Sequence, residues 1–208
     1  MSDERLLEVL EIARSLGYLG PGAVEPHLDH ARGFRKAIEE AGLPSPASFV
    51  DLGTGGGVPG LVLASDWPHA QAVLVETMRR RAASLRQAVE ALQLVDRVEV
   101  LEARAEAVAQ EPAHRERFDL VTARSFAEPA VTAEIAAGLA KVGGVLLVSE
   151  PPEPDPARWP SDALKPLGFA PADRTTVSSG SFAILRKFTP APPDRPRRTG
   201  IPNKRPLW

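Results

Sequence analysis

Two kinds of hydrophobic periodicity divide the chain. In the first 45 residues, apolar side chains recur every three or four positions, which predicts one amphipathic helix over residues 3–16 and a second from about Pro26 to Gly42. From residue 48 onward, short apolar runs typical of buried strands alternate with stretches of helical periodicity. This alternation favours a mostly parallel sheet that is covered by helices on both faces.

The same pattern gives the approximate bounds of the elements. Strands are predicted at 48–52, 72–76, 97–101, 118–122 and 144–149, and helices at about 58–65, 78–93, 104–110 and 127–140. After a proline-rich connector at 151–160, a short helix near 161–166 leads into two strands, 169–177 and 181–188, which a tight turn at residues 178–180 joins. We therefore predict an α/β fold with a mostly parallel seven-stranded sheet that ends in an antiparallel hairpin.

That hairpin distinguishes between two families of nucleotide-binding fold. An antiparallel strand at the end of a parallel sheet is the arrangement of class I methyltransferases, which are Rossmann-like, whereas an NAD-binding domain continues with another βαβ unit. We accordingly predict three parts: a short N-terminal helical cap at 1–47, a ligand-binding catalytic domain at 48–188 and a basic, proline-rich tail at 189–208.

Composition excludes several classes of function. The 208 residues contain no cysteine, so disulfides, thiolate metal sites and catalysis by a cysteine nucleophile are excluded. Among the four histidines only His27 and His30 have helical spacing for a shared ligand, and with no third ligand nearby we expect no metal site. No apolar run is long enough to span a membrane and the N-terminus is charged, so we expect a cytoplasmic protein with no membrane partner.

Charge is distributed unevenly along the chain. The formal net charge is only −2, yet residues 186–208 carry +6 and the preceding residues −8. An acidic body with a basic tail indicates contact with a polyanion, of which nucleic acid is the obvious example. From charge alone, a solvated and disordered terminus fits equally well.

The strongest candidate site is a glycine loop that follows the first predicted strand. Gly53, Gly55 and Gly57 allow the backbone to turn sharply and to approach a ligand closely. Asp51 stands where a pyrophosphate would approach such a loop, and it would repel that anion but attract a ligand with an amino group. S-adenosyl-L-methionine (SAM), a sulfonium amino acid, is such a ligand, so we predict SAM rather than NAD, with a glycine turn that binds no ligand as the alternative.

The ends of the later strands supply further candidates. Glu76 ends the second strand, where an acid accepts hydrogen bonds from ribose hydroxyls. Ala105 and Glu106 follow the third strand, where adenine is usually bound, although Glu106 suits a helix N-terminus equally well. Arg124 ends the fourth predicted strand, and an arginine in this position indicates contact with a phosphate or with the edge of a guanine. A salt bridge to Asp51 or Glu150 is the alternative.

Three segments together resemble one protein family. Residues 51–61 (DLGTGGGVPGL), 122–127 (TARSFA) and 200–207 (GIPNKRPL) resemble the glucose-inhibited division protein B family, and the resemblance extends over about 48–207. Its members are bacterial guanine-N7 methyltransferases of small-subunit ribosomal RNA. The resemblance implies a class I SAM-methyltransferase fold, SAM as cofactor, and 16S ribosomal RNA or the small ribosomal subunit as partner; we expect a monomer.

The resemblance also implies roles for individual residues. Gly53, Gly55 and Glu76 would bind SAM, Ala105 and Glu106 would lie near the adenine, and Arg124 would lie at the catalytic edge. The tail would form the RNA-facing surface through four basic residues: Arg195, Arg197, Arg198 and Lys204. The chain departs from the family in its shorter N-terminus and in Glu150 and Pro151, which stand where a lysine is common.

The expected chemistry needs no general base. Guanine N7 presents a lone pair at neutral pH, so the enzyme would act mainly by aligning it with the methyl group. Arg124 would orient the base, because its guanidinium stays protonated. Three other hypotheses remain open from the sequence: a methyltransferase of a small molecule or a protein on the same scaffold, a non-catalytic RNA-binding relative, and an NAD-dependent oxidoreductase.

Overall fold

A seven-stranded sheet forms the centre of the computed structural model, which describes residues 3–208. The strand order is β3-β2-β1-β4-β5-β7-β6. The strands are β1 (Ser48–Leu52), β2 (Gln71–Glu76), β3 (Val98–Glu102), β4 (Phe118–Ala123), β5 (Ala140–Glu150), β6 (Asp173–Val177) and β7 (Gly180–Arg186). The first five strands are parallel, and β7 runs antiparallel to both β5 and β6. The predicted parallel sheet with a terminal antiparallel hairpin is confirmed.

Within residues 3–208, eight α-helices lie on the two sides of this sheet. They are α1 (Asp3–Ser15), α2 (Glu25–Glu40), α3 (Gly60–Asp66), α4 (Arg79–Ala91), α5 (Ala105–Gln110), α6 (Pro129–Leu139), α7 (Ser161–Leu164) and α8 (Ile201–Lys204). Because successive strand residues point to opposite faces, Phe49 packs under α1 to α4 whereas Val50 packs under α5 to α7. No helix among residues 3–208 combines the length and apolarity needed to cross a membrane.

The N-terminal helices share the core of the sheet. Leu10 and Phe34 are fully buried in the same apolar cluster as Phe49 and Phe182. Phe34 packs edge-on against Phe182 of β7, with ring centroids 4.8 Å apart. Within the segment predicted as a cap, α2 therefore packs against the hairpin, close to the carboxyl ends of the parallel strands.

The C-terminal tail folds along the opposite face. All 11 residues of α6 are buried, because the sheet, α5 and the tail enclose this helix on all sides. The tail ends at Trp208, whose indole nitrogen donates to the carbonyl oxygen of Arg158 at 3.1 Å. The alternative of a disordered terminus is therefore wrong.

Two strand bounds differ from their prediction for local reasons. The strand predicted at 169–177 is β6, which begins only at Asp173; Phe169 forms an isolated bridge with Lys187, and Pro171 cannot donate to a ladder. The strand predicted at 144–149 is β5, which begins at Ala140 directly after α6. The other predicted elements lie within about three residues of the observed ones.

Candidate functional site

A crevice of about 330 Å³ opens where the carboxyl ends of β1 to β4 meet. Four of the predicted ligand-binding residues line it together: Gly53, Glu76, Ala105 and Glu106. The remaining lining residues are Val75, Thr77, Arg81, Ala103, Arg104, Ser125, Phe126, Ala127 and Asn203. The parallel topology explains this convergence, since such strands end at one edge of the sheet.

Glu76 occupies the floor of the crevice and also anchors the glycine loop. Its side chain is almost fully buried. Oε1 accepts a hydrogen bond from the backbone N–H of Met78 at 2.8 Å, and Oε2 accepts one from the N–H of Gly55 at 3.1 Å. An acceptor-only carboxylate in this position suits a ligand that presents hydroxyl groups.

The three predicted glycines of the loop have different surroundings. Gly53 faces the crevice with φ +63°, and a Cβ there would lie 2.7 Å from Cδ2 of Phe126. Gly57 lies away from the crevice with φ +96°, and a Cβ there would meet Cδ1 of Leu61 at 2.4 Å. Gly55 reaches the crevice only through the bond between its amide and Glu76. Of the three predicted glycines, Gly53 alone lines the crevice, and Gly57 lies at the turn into α3.

Asp51 lies inside the protein rather than on the crevice. Its side chain has no exposed surface; Oδ2 accepts from the N–H of Gly60 at 3.0 Å and Oδ1 from the hydroxyl of Thr122 at 2.7 Å. The carboxylate therefore ties β1 to β4 and to the start of α3. The structure does not place Asp51 on the crevice wall, because its side chain points inward, which a sequence does not show. Its contact with the amino group of a ligand stays a prediction.

Burial changes the titration of Asp51. Loss of solvent raises the pKa of this carboxyl to about 6, against the opposing effect of its hydrogen bonds. The folded state thus holds a proton that the unfolded state has released, and the free energy of unfolding falls as pH rises from about 4 to above 6.

Asp51→Asn should remove this pH dependence. An asparagine can accept from Gly60 and donate to the hydroxyl of Thr122, so the hydrogen bonds are kept without a charge. We expect the stability of the wild type to fall by about 1 kcal/mol more than that of the variant between pH 5 and pH 7.5. Urea unfolding of both proteins at the two pH values measures this difference, and parallel pH profiles would contradict the assignment.

Arg124 directly follows β4, and its side chain turns away from the crevice toward α2. Its Nη2 lies 2.8 Å from Nδ1 of His27, and its Nη1 is buried with no hydrogen-bond partner within residues 3–208. Burial lowers the pKa of Arg124, and the charge of Asp51 opposes that effect. The alternative of a salt bridge is not supported, because Glu150 pairs with Arg158 at 2.9 Å and Asp51 makes no ion pair among the described residues.

Two buried acids hold the C-terminal tail on the protein. Glu106 accepts a hydrogen bond from the N–H of Gly200 at 3.1 Å, so the acid predicted to lie near an adenine also fixes the tail beside the crevice. Glu134 of α6 is fully buried and accepts three hydrogen bonds from Arg197, at 2.8, 2.8 and 2.6 Å. The tail is therefore attached at the crevice and at α6.

The four basic tail residues differ in their freedom to meet RNA. Arg198 and Lys204 are exposed. Arg195 is partly buried and contacts Asp194. Arg197 is partly exposed and forms an ion pair with Glu134, so its contact with RNA stays a prediction.

Three residues of the crevice escaped the sequence reasoning. Phe126 offers an aromatic surface, and Asn203 of α8 an amide with both a donor and an acceptor. Arg81 of α4 brings a guanidinium whose Nε is buried with no partner in the described part of the chain. Phe126 and Asn203 lie in motifs that the sequence singles out, whereas Arg81 carries no local signal and reaches the crevice only through the fold.

The crevice thus combines an acid, an aromatic ring and a cation. Such a set suits an organic ligand with hydroxyl groups, a flat ring and a carboxylate. Within residues 3–208, no group of three or more His, Cys, Asp or Glu side chains is arranged to hold a metal ion.

Comparison with known proteins gives a consistent result. A family profile described as rRNA small subunit methyltransferase G matches residues 34–150. The chain is 37% identical over 169 residues to "Ribosomal RNA small subunit methyltransferase G" of Roseiflexus castenholzii, covering 78% of this chain and 72% of that protein. It is 38% identical over 172 residues to the protein of the same name from Pelotomaculum thermopropionicum, with coverages of 79% and 72%.

Solved structures share the fold at lower sequence identity. A putative O-methyltransferase from Klebsiella pneumoniae superposes with a TM-score of 0.62 at 15% identity, covering 91% of this chain and 92% of that one. An O-methyltransferase from Bacillus cereus, solved in complex with SAH, gives a TM-score of 0.61 at 19% identity, with coverages of 90% and 92%. The predicted class I methyltransferase fold is confirmed.

Proposed function

The chain belongs to the rRNA small subunit methyltransferase G family, and on this basis we propose that it is a SAM-dependent methyltransferase that modifies N7 of a guanine in 16S ribosomal RNA. The observation that carries the proposal is the crevice at the carboxyl edge of the sheet, with Glu76 on its floor, in a chain of this family. The choice of N7 rests on the resemblance of residues 51–61, 122–127 and 200–207 to the glucose-inhibited division protein B family.

The residues of the crevice fit SAM. Glu76 can accept from the two ribose hydroxyls, and Phe126 and Ala105 offer apolar surface to the adenine. The methionine part of SAM could lie near Arg81 and Gly53. The Nε of Arg81 is a donor without a partner among the described residues, and Gly53 allows a close approach to the backbone. When bound, SAM supplies a methyl group on a positively charged sulfur. Glu76, Gly53, Ala105 and Glu106 are therefore our proposed cofactor-binding residues, with Arg81, Phe126 and Asn203 added.

Methyl transfer to guanine N7 requires alignment and no general base. The nitrogen carries its lone pair at neutral pH, so the work of the protein is to hold the base in line with the methyl group. Good alignment of this kind can lower a barrier by about 7–11 kcal/mol. Arg124, which stays protonated, can donate hydrogen bonds to the base but cannot remove a proton from it.

A basic groove on the tail supports RNA as the substrate. Arg115 and Arg198 line an open groove of about 640 Å³, together with Arg195 and Arg197, which are paired with Asp194 and Glu134. Lys204 lies exposed on α8. Arg198 and Lys204 have no ion-pair partner among residues 3–208. Such cations contact phosphates, which naked 16S RNA and the assembled subunit both present.

A methylation assay tests the proposal. The chain is incubated with isotope-labelled SAM and with small subunits, or naked 16S RNA, from cells that lack the modification. We expect one 7-methylguanosine per RNA molecule, detected by mass spectrometry of the digested RNA. Label in another nucleotide would refute the N7 assignment, and no label in either substrate would refute RNA methylation.

A further inference from the structure

Among the side chains of residues 3–208, only His27 forms a hydrogen bond with Arg124. The 2.8 Å contact joins Nδ1 of His27, on the first turn of α2, to Nη2 of Arg124 at the end of β4. The family profile begins at residue 34, so the match assigns no role to His27. This contact links the N-terminal helices to the edge of the sheet where the acceptor base has to arrive.

The backbone turns sharply directly after Arg124. Ser125 has φ +48°, an uncommon conformation for a residue with a side chain. Residues 125–127 line the SAM crevice, whereas Arg124 points to α2. The turn thus places the guanidinium beside the crevice without letting it enter, and strained positions of this kind often occur at functional sites.

The contact has a defined direction. A guanidinium has only N–H donors, so Nδ1 of His27 accepts this hydrogen bond. One N–H group of Arg124 is then occupied, while Nη1 is buried with no partner in the described part of the chain. An unsatisfied buried donor is costly, so a partner for Nη1 is expected during function.

Guanine recognition suggests a function for an arginine with this arrangement of hydrogen bonds. The usual arginine contact with guanine is bidentate, to O6 and N7. Here that contact would cover the lone pair that must attack the methyl group. Because the contact with His27 holds the Nη2 side of the guanidinium, Nη1 can hold O6 and leave N7 open.

We propose that His27 is a positioning residue for methyl transfer: it holds Nη2 of Arg124 and so fixes the guanidinium with Nη1 as the donor to O6 of the acceptor guanine. This inference rests on the proposed function, because it takes guanine N7 as the acceptor. Arg124 is then the residue that touches the substrate, and His27 acts through it.

Two amide variants test the position of the acceptor atom. In His27→Asn the side-chain oxygen takes the place of Nδ1, whereas in His27→Gln it lies one methylene further from the backbone. We expect kcat on small subunits to fall at least 10-fold in His27→Gln and in His27→Leu, and to return to within about threefold of wild type in His27→Asn. The dissociation constant for SAM, measured by calorimetry, should stay unchanged in all three.

Controls separate positioning from folding. His69 is exposed at the other end of the sheet, and His69→Leu should leave kcat unchanged. A merely structural role predicts that the melting temperature and kcat fall together and that asparagine, a weaker helix former, does no better than glutamine. Nitrogen-15 NMR of the SAM-free protein adds a direct readout: the guanidinium of Arg124 should rotate slowly in wild type and His27→Asn and freely in His27→Leu.

The outcomes distinguish the two proposals. If wild type forms 7-methylguanosine but His27→Leu and His27→Gln are equally active, or if asparagine fails to restore kcat, the role of His27 is refuted and the proposed function stands. If wild type forms no 7-methylguanosine in ribosomal RNA, both proposals are refuted. Recovery in His27→Asn alone, with unchanged SAM affinity, supports the inference.

Discussion

Glu76→Ala should weaken SAM binding by roughly 10²-fold or more. The carboxylate lies on the floor of the crevice, where we propose that it accepts two hydrogen bonds from the ribose. Hydrogen bonds to a charged group are worth about 1.5–3 kcal/mol each, so the loss of both accounts for the change. The variant also releases the amide of Gly55, which loosens the loop and adds to the effect.

Glu102 provides a matched control for this measurement. It is the register partner of Glu76 on the neighbouring strand, it pairs with Arg86, and it does not line the crevice. Calorimetry should show a nearly unchanged dissociation constant for SAM in Glu102→Ala, and a thermal melt should show both variants folded. Equal SAM affinities of the wild type and Glu76→Ala would refute the proposal that Glu76 binds SAM.

The arrangement of the sheet could be predicted because its signals are local. Each buried strand of the parallel part is a short apolar run, and the turn at 178–180 separates two segments that contain strand-forming residues. The start of β6 was misplaced because Phe169 and the residues after it look apolar enough for a strand, while Pro171 breaks the ladder. The ordered structure of the tail is harder to predict, because its composition also fits a disordered segment. Its order depends on two acids that are distant in sequence, Glu106 and Glu134.

Site residues could be predicted from the sequence where their position at the end of a parallel strand is enough to place them in the crevice. Gly53 and Glu76 lie at the ends of neighbouring parallel strands, so topology brings them together. Asp51 also lies at a strand end, but its side chain points into the protein, and the orientation of a residue beside a loop depends on its packing. Arg81 reaches the crevice from a helix, which requires a three-dimensional arrangement that no local pattern contains.

Arg197→Met should destabilise the protein severely. The substitution removes the cation that neutralises Glu134, a carboxylate with no exposed surface, and breaking a buried pair in this way costs about 3–5 kcal/mol. Urea unfolding measures the loss. The double variant Glu134→Leu with Arg197→Met should recover much of it, because no uncompensated charge is then buried.

Arg198 is the matched control, since it is the next residue and is exposed. Arg198→Ala should leave the unfolding free energy within about 0.5 kcal/mol of wild type. It should instead weaken RNA binding and reduce the salt dependence by about one phosphate contact, measured by filter binding at several salt concentrations.

Because Asn203 lines the crevice and Gly200 is held by Glu106, loss of Arg197 should also weaken SAM binding, whereas loss of Arg198 should not. Equal effects of the two substitutions on stability would contradict the buried pair, and a weaker SAM affinity in Arg198→Ala would contradict the separation of anchoring from RNA contact.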